Sequence, residues 1–92
     1  MDEKKFIKLC KKEIVKYHNE EHKVFSTMYP AIAEDDIYTV WLCKTLQNNK
    51  ALMSTTLRDG MYYELTYNGD KKELYLDAYK KTANVKIGIV EE

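Results

Sequence analysis

One proline, three glycines, two cysteines and two histidines are all that these 92 residues hold of the types that most often punctuate a chain or carry its chemistry. Each scarcity excludes something. Gly60, Gly69 and Gly88 stand far apart, so there is no glycine-rich loop to cradle a phosphate. Cys10, Cys43, His18 and His22 lack the close C-x-x-C pairing of structural zinc sites. The two cysteines fall in apolar surroundings on different predicted elements and are expected as buried free thiols. Net charge is also missing: fifteen basic residues balance fifteen acidic ones. Proteins that grip nucleic acid through its phosphates usually carry a basic excess, so this balance disfavours nucleic acid as a partner. No apolar run approaches the ~20 residues needed to span a bilayer. The start Met1-Asp2-Glu3-Lys4-Lys5 lacks the apolar core of a secretory signal, which predicts a cytoplasmic protein without a membrane partner.

What is present is an ordinary globular mixture, 45% apolar and 33% charged. A chain of this length buries roughly 60 to 65% of the surface its unfolded form exposes, enough for one core. The pattern divides the single domain into a helix over about 4–22, a linker over 24–36 and a sheet over 37–90.

Phe6, Ile7, Cys10, Ile14 and Tyr17 recur at three- and four-residue spacing, with Leu9 and Val15 widening the stripe, while lysines take the other side. Asp2 and Glu3 sit where a helix N-terminus favours negative charge. The periodicity breaks around Pro30 and the acid run Glu34-Asp35-Asp36, which reads as a solvated approach to the first strand. Phe25, Met28, Tyr29 and Ile32 are too apolar for open water, so part of this linker is expected over the core.

From Ile37 onward β-formers alternate between turn sequences. Asp59-Gly60 predicts a two-residue hairpin with Arg58 opposite Met61. That register pairs Thr56 with Tyr63, Ser54 with Leu65 and Leu52 with Tyr67 on the core side, and leaves Leu57/Tyr62, Thr55/Glu64 and Met53/Thr66 on the other. A four-residue loop of Asn68, Gly69, Asp70 and Lys71 then sets Leu65 against Leu74, Tyr63 against Leu76 and Met61 against Ala78. A predicted core of Leu52, Tyr63, Leu65, Leu74 and Leu76 follows. The turn at Gln47-Asn48-Asn49-Lys50 leaves two choices open, with either Trp41 and Cys43 or Val40 and Leu42 facing inward. Val85, Ile87 and Ile89 alternate after a polar stretch and predict a short last strand or a continuation of the fourth. The expected architecture is α+β: an N-terminal amphipathic helix packed on one face of an antiparallel meander of four to five strands.

His18-Asn19-Glu20-Glu21-His22 has the spacing of an inverted zinc-protease motif, but it falls at the end of a short helix with no third ligand in view. It reads as a polar, solvated helix end. Ser54, Thr55 and Thr56 have no elbow sequence or neighbouring histidine and read as strand residues. Glu64, Glu73 and Asp77 can approach one another on the sheet, and paired carboxylates can do acid/base work, although solvent-facing charge is the commoner reason for such residues. No catalytic set, metal site or cofactor is predicted, and the chain reads as a non-enzyme.

Tyrosine is the least ordinary feature, supplying eight of the eleven aromatic side chains, five of them between residues 62 and 79. The predicted register turns Tyr62, Tyr75 and Tyr79 away from the core. Cross-strand aromatic pairs stabilise sheets, and tyrosine is also enriched in protein interfaces, so this face serves either the sheet itself, a protein partner or a second copy of the chain. With Glu64, Lys44, Asn68 and Asp70 nearby it forms the candidate binding surface. The alternative is a small ligand, a nucleotide or single-stranded nucleic acid stacked on the rings, with Lys44, Lys71, Lys80 and Lys81 on the phosphates.

The stretch with Val40-Trp41, Cys43-Lys44-Thr45-Leu46-Gln47-Asn48, Ser54-Thr55-Thr56, Asp59-Gly60-Met61-Tyr62-Tyr63-Glu64, Thr66-Tyr67-Asn68-Gly69-Asp70 and Tyr75-Leu76-Asp77-Ala78-Tyr79-Lys80-Lys81 resembles a family of short uncharacterised phage and prophage proteins of Gram-positive bacteria. The resemblance covers about residues 40–81, brings no active-site motif, and is weakest over residues 18–36. It implies a small accessory protein of the host-cell cytosol that works by binding a host or phage protein, such as a defence or DNA-metabolism factor that it inhibits.

Overall fold

The computed structural model of the protein describes residues 1–21 and 30–91. Among the described residues one α-helix, α1 (Glu3–Glu21), lies on one face of a four-stranded antiparallel sheet of β1 (Ile37–Thr45), β2 (Asn48–Thr55), β3 (Met61–Asn68) and β4 (Glu73–Lys80). The strands neighbour one another in chain order. This is the expected α+β meander, with four strands.

Asp2 starts the helix by accepting a hydrogen bond from the Lys5 amide at 2.8 Å, which satisfies one of the donors that every helix N-terminus leaves free. Four side chains one turn apart, Phe6, Cys10, Ile14 and His18, are fully buried. They meet Ala51, Met53, Tyr63 and Leu65 on the sheet, together with Ile32 and Ile37. Burying a side chain the size of Phe6 or Ile14 stabilises the fold by roughly 1.5–3 kcal/mol. Tyr17 adds an edge-to-face contact with Tyr63, ring centroids 6.1 Å apart. Burial pushes the Cys10 thiol and the Tyr63 phenol each up to about 12, with Asp59 adding to the effect on Tyr63.

The end of the helix organises the chain's return. His18, expected at a solvated end, is buried: its Nε2–H donates to the Pro30 carbonyl at 3.1 Å. Asn19 pairs with the backbone of Ile32 in both directions, Nδ2 donating to its carbonyl at 3.3 Å and Oδ1 accepting from its amide at 3.0 Å. The reason is positional, since residue 18 falls on the same stripe as residues 10 and 14. His22, Val24, Phe25, Met28 and Tyr29 lie outside the described residues. Ile32 is buried as expected of an apolar linker residue. The acid run forms a 3-10 turn, Glu34–Asp36, in which the Asp36 carboxylate accepts from the Ala33 amide at 2.8 Å.

The hairpin registers differ from those expected. Between β2 and β3 the pairs are Met53 with Tyr63, Leu52 with Glu64 and Ala51 with Leu65, three positions away from the predicted register. Thr55 Oγ1 accepts from the Leu57 amide and Asp59 Oδ1 from the Met61 amide, so two side chains build a five-residue loop across residues 56–60. Gly60 alone in this loop has positive φ, at 73°, whereas a type I′ turn needs it at both central residues. An odd slip exchanges faces: Ala51 and Met53 are inside, and Leu52 is on the far side. Between β3 and β4 the loop does have four residues, but they are Gly69 to Lys72, one position later than expected. Leu65 consequently meets Leu76 and Tyr63 meets Ala78. This even slip keeps Leu74 and Leu76 on the helix side, where both are half-buried against the core.

In the first hairpin Leu46 and Gln47 form the two-residue connection, with Thr45 opposite Asn48. Leu42 pairs with Ala51 and faces inward, while Trp41 and Cys43 face away. Cys43 is exposed, unlike its expected burial, because it alternates with Leu42. The predicted last strand is absent: residues 81–91 follow β4 without strand pairing, and Val85, Ile87 and Ile89 are 73–74% exposed.

The two loops at one end of the sheet press together. Leu46 holds φ of 55° although it is neither glycine nor asparagine, a left-handed conformation that costs about 1 kcal/mol. A Cβ on Gly69 would come within 2.1 Å of the Gln47 carbonyl oxygen, so this glycine is needed for close approach, while the positive φ in its own loop sits at Lys72. Gly69→Ala is expected to destabilise the fold by roughly 2 kcal/mol or more. Leu46→Asn is expected to raise the melting midpoint by about 4–8 °C. Thermal unfolding of both variants checks these opposite signs.

Candidate binding face of the sheet

One helix covers one face of the sheet. On the other, pairing brings side chains from all four strands into rows: Tyr38, Ser54, Tyr62 and Tyr79 in one, Trp41, Leu52, Glu64 and Asp77 in the next, and Cys43, Lys50, Thr66 and Tyr75 in a third. Tyr38 and Trp41 are three residues apart, which in a regular strand would set them on opposite faces. The β1 register shifts between Thr39 and Trp41, and this bulge at Val40 turns both aromatic rings to the uncovered side. The result is a surface rich in aromatic side chains: Tyr38, Trp41, Tyr75 and Tyr79 are 39–54% exposed, with Leu52 and Tyr62 half-buried on the strands between them.

The electrostatics of the face are acidic and specific. Glu64 lies 3.6 Å from the Lys50 ammonium and accepts a hydrogen bond from the Tyr79 hydroxyl at 3.5 Å. Tyr75 donates to the carboxylate of Glu73. The phenols respond. The hydrogen bond to Glu73, and then its negative charge, raise Tyr75 above the ordinary tyrosine value. The charge of Glu64 is the main cause of the same shift at Tyr79, followed by desolvation, Asp77 and the hydrogen bond. Both rings therefore remain neutral donors through the physiological range.

Tyr62, Tyr75, Tyr79 and Glu64 thus share one surface. Lys44 does not belong to it: in register with Asn49, Tyr67 and Leu74 it lies on the helix side, where its ammonium reaches the Met1 carbonyl at 3.5 Å. Asn68 caps the β3–β4 loop by accepting from the Asp70 and Lys71 amides, and Asp70 is exposed in that loop at the rim of the face. Trp41, Tyr38 and Leu52 complete the surface, although sequence reasoning did not select them. Their signal was the run of aromatic and β-branched residues in β1, whose facing depends on the bulge. Ser54 is buried and donates to the Met61 carbonyl at 2.7 Å, a structural use of its hydroxyl. No group of three or more histidine, cysteine or acidic side chains is placed to hold a metal among the described residues. No helix among them is long and apolar enough to cross a membrane.

Because Glu73 and Glu64 act on different tyrosines, their effects separate. In wild type both phenols are expected to titrate above the ordinary value of ~10. Glu73→Gln is expected to bring Tyr75 back down and leave Tyr79 in place, and Glu64→Gln to do the reverse. Ring-carbon NMR across alkaline pH measures both; coincident titration at the ordinary value would contradict the geometry.

The chain belongs to a family of unknown function (DUF6275), whose sequence profile matches residues 7–89. The searches of curated proteins and of solved structures returned no match.

Proposed function

We propose that this family member is a non-enzymatic binding protein that docks on another protein through the uncovered aromatic face of its sheet. The observation carrying this reading is that Tyr38, Trp41, Leu52, Tyr62, Tyr75 and Tyr79 share one face of the sheet, which no other part of the described chain covers. Tryptophan and tyrosine bring large, rigid contact area with a polar handle and dominate interface energetics. Exposed apolar patches of this kind mark interaction sites. Glu64, Glu73 and Asp77 among the rings favour a partner that offers an apolar centre bordered by lysine or arginine.

The same carboxylates weigh against nucleic acid. A base-stacking platform needs cations beside the rings, yet Lys44 is on the opposite side and Lys50 is engaged by Glu64. On the likeness of residues 40–81 to phage and prophage proteins, we place the protein in the cytosol of an infected or lysogenic host. There it would bind a host or phage protein and inhibit a defence or DNA-metabolism factor.

A tagged full-length chain and its Trp41→Ala/Tyr75→Ala variant test this directly, since neither residue belongs to the buried core. Wild type is expected to retain a stoichiometric protein from host cells. With that partner purified, the variant's Kd is expected to rise at least about tenfold while its circular dichroism is unchanged. Equal affinity of the two proteins, or retention of oligonucleotides in place of a protein, would refute the proposal.

A further inference from the structure

We infer that residues 85–90 form a donor strand that adds to the free edge of β4 in a second copy of the chain. The segment Val85-Lys86-Ile87-Gly88-Ile89-Val90 alternates β-branched residues in the manner of a half-buried strand. Yet it stays largely exposed in its own copy: Val85, Ile87 and Ile89 are 73–74% exposed, Val90 is 93% exposed, and a Cβ on Gly88 would have open space around it. The Cα radius of gyration, 15.4 Å, exceeds the ~12 Å of a compact domain of this length. The family profile extends through residue 89 and so takes in all of this segment but Val90.

The acceptor is identified by the two sheet edges. β1 is interrupted by its bulge, a device that blunts strand addition. β4 runs in unbroken register from Glu73 to Lys80 and is an edge strand, its outer side paired with no strand among the described residues. Beside that edge, on the helix side, an open groove of about 320 Å³ has Leu74, Leu76 and Tyr17 for its apolar lining and Glu13, Lys16 and Glu20 on its rim. A strand laid along β4 would send alternate side chains into this groove, as Leu74 and Leu76 already point. Val85, Ile87 and Ile89 have that spacing. Lys86 and Gly88 would then fall on the opposite face, where Asp77 and Glu73 supply opposite charge and the glycine leaves room beside the rings of Tyr75 and Tyr79.

A second copy is the occupant because the segment, which follows directly on β4, does not lie on its own edge: residues 81–91 are without strand pairing. The Lys81 amide is tied to the Gly60 carbonyl at 2.8 Å, so the chain leaves β4 still in line with its ladder. Carried onward from β4, the strand reaches a neighbour, and a two-fold axis makes the exchange reciprocal. The aromatic face of each copy stays open, so the inference stands independently of the proposed partner.

Ile87→Asp/Ile89→Asp in the full-length protein is the test, because these positions make no contacts that the folded single copy requires. Wild type is expected to sediment as a dimer. The variant is expected to sediment as a monomer whose helical circular dichroism is unchanged, its dimer Kd raised at least about a hundredfold by carboxylates with no buried partner. Hydrogen exchange should show residues 85–90 and 73–80 losing protection together in the variant. A monomeric wild type, a dimer insensitive to the two aspartates, or protection that maps to β1 instead of β4 would overturn the inference. A dimer lost only in Trp41→Ala/Tyr75→Ala would instead assign the interface to the aromatic face and overturn it equally.

Discussion

One helix with one apolar stripe is the constraint on which the rest of the structure depends. Phe6, Cys10, Ile14 and His18 seal a single face of the sheet, and nothing comparable among the described residues seals the other. The two faces therefore obey different rules. The sealed side can use Ala51, Met53 and Leu65, which need only exclude water. The other must keep a sheet stable while wet, and tyrosine suits that position because its ring packs across strands while its hydroxyl finds Glu64 or Glu73.

The element types were legible because periodicity reports them directly: Asp2 opens the helix and the alternation from Ile37 to Lys80 gives four strands. Registers were less legible, for a local reason. Thr55 and Asp59 spend their side chains on backbone amides, and this lengthens a loop that Asp-Gly alone would make tight. The slip of three positions moved Leu52 out of the core and Met53 into it. At the next hairpin the slip was even, so Tyr75 and Tyr79 came to the same side as Tyr62 even though each residue has a different partner from the one expected. Parity, more than exact pairing, carried the candidate face.

Other parts of the surface could not be read in advance. The bulge at Val40 decides that Tyr38 and Trp41 share a face, and a bulge leaves no composition signal in β1. Leu46 adopts positive φ against its own preference because the two-residue turn demands it, and the same turn sends Lys44 to the helix side and Cys43 to solvent. The exposed 85–90 segment has the alternation of a strand but pairs with no strand among the described residues of its own copy. Single-chain reasoning had no way to register that difference.

The central claim is that the sheet is one-sided, with its aromatic face in solvent. Trp41 is the only tryptophan and lies within that face, so its fluorescence reports on the claim without interference. In dilute native protein the account predicts red-shifted emission that acrylamide quenches readily, consistent with a ring 39% exposed. Blue-shifted emission shielded from acrylamide until the protein unfolds would place Trp41 in a core and contradict it.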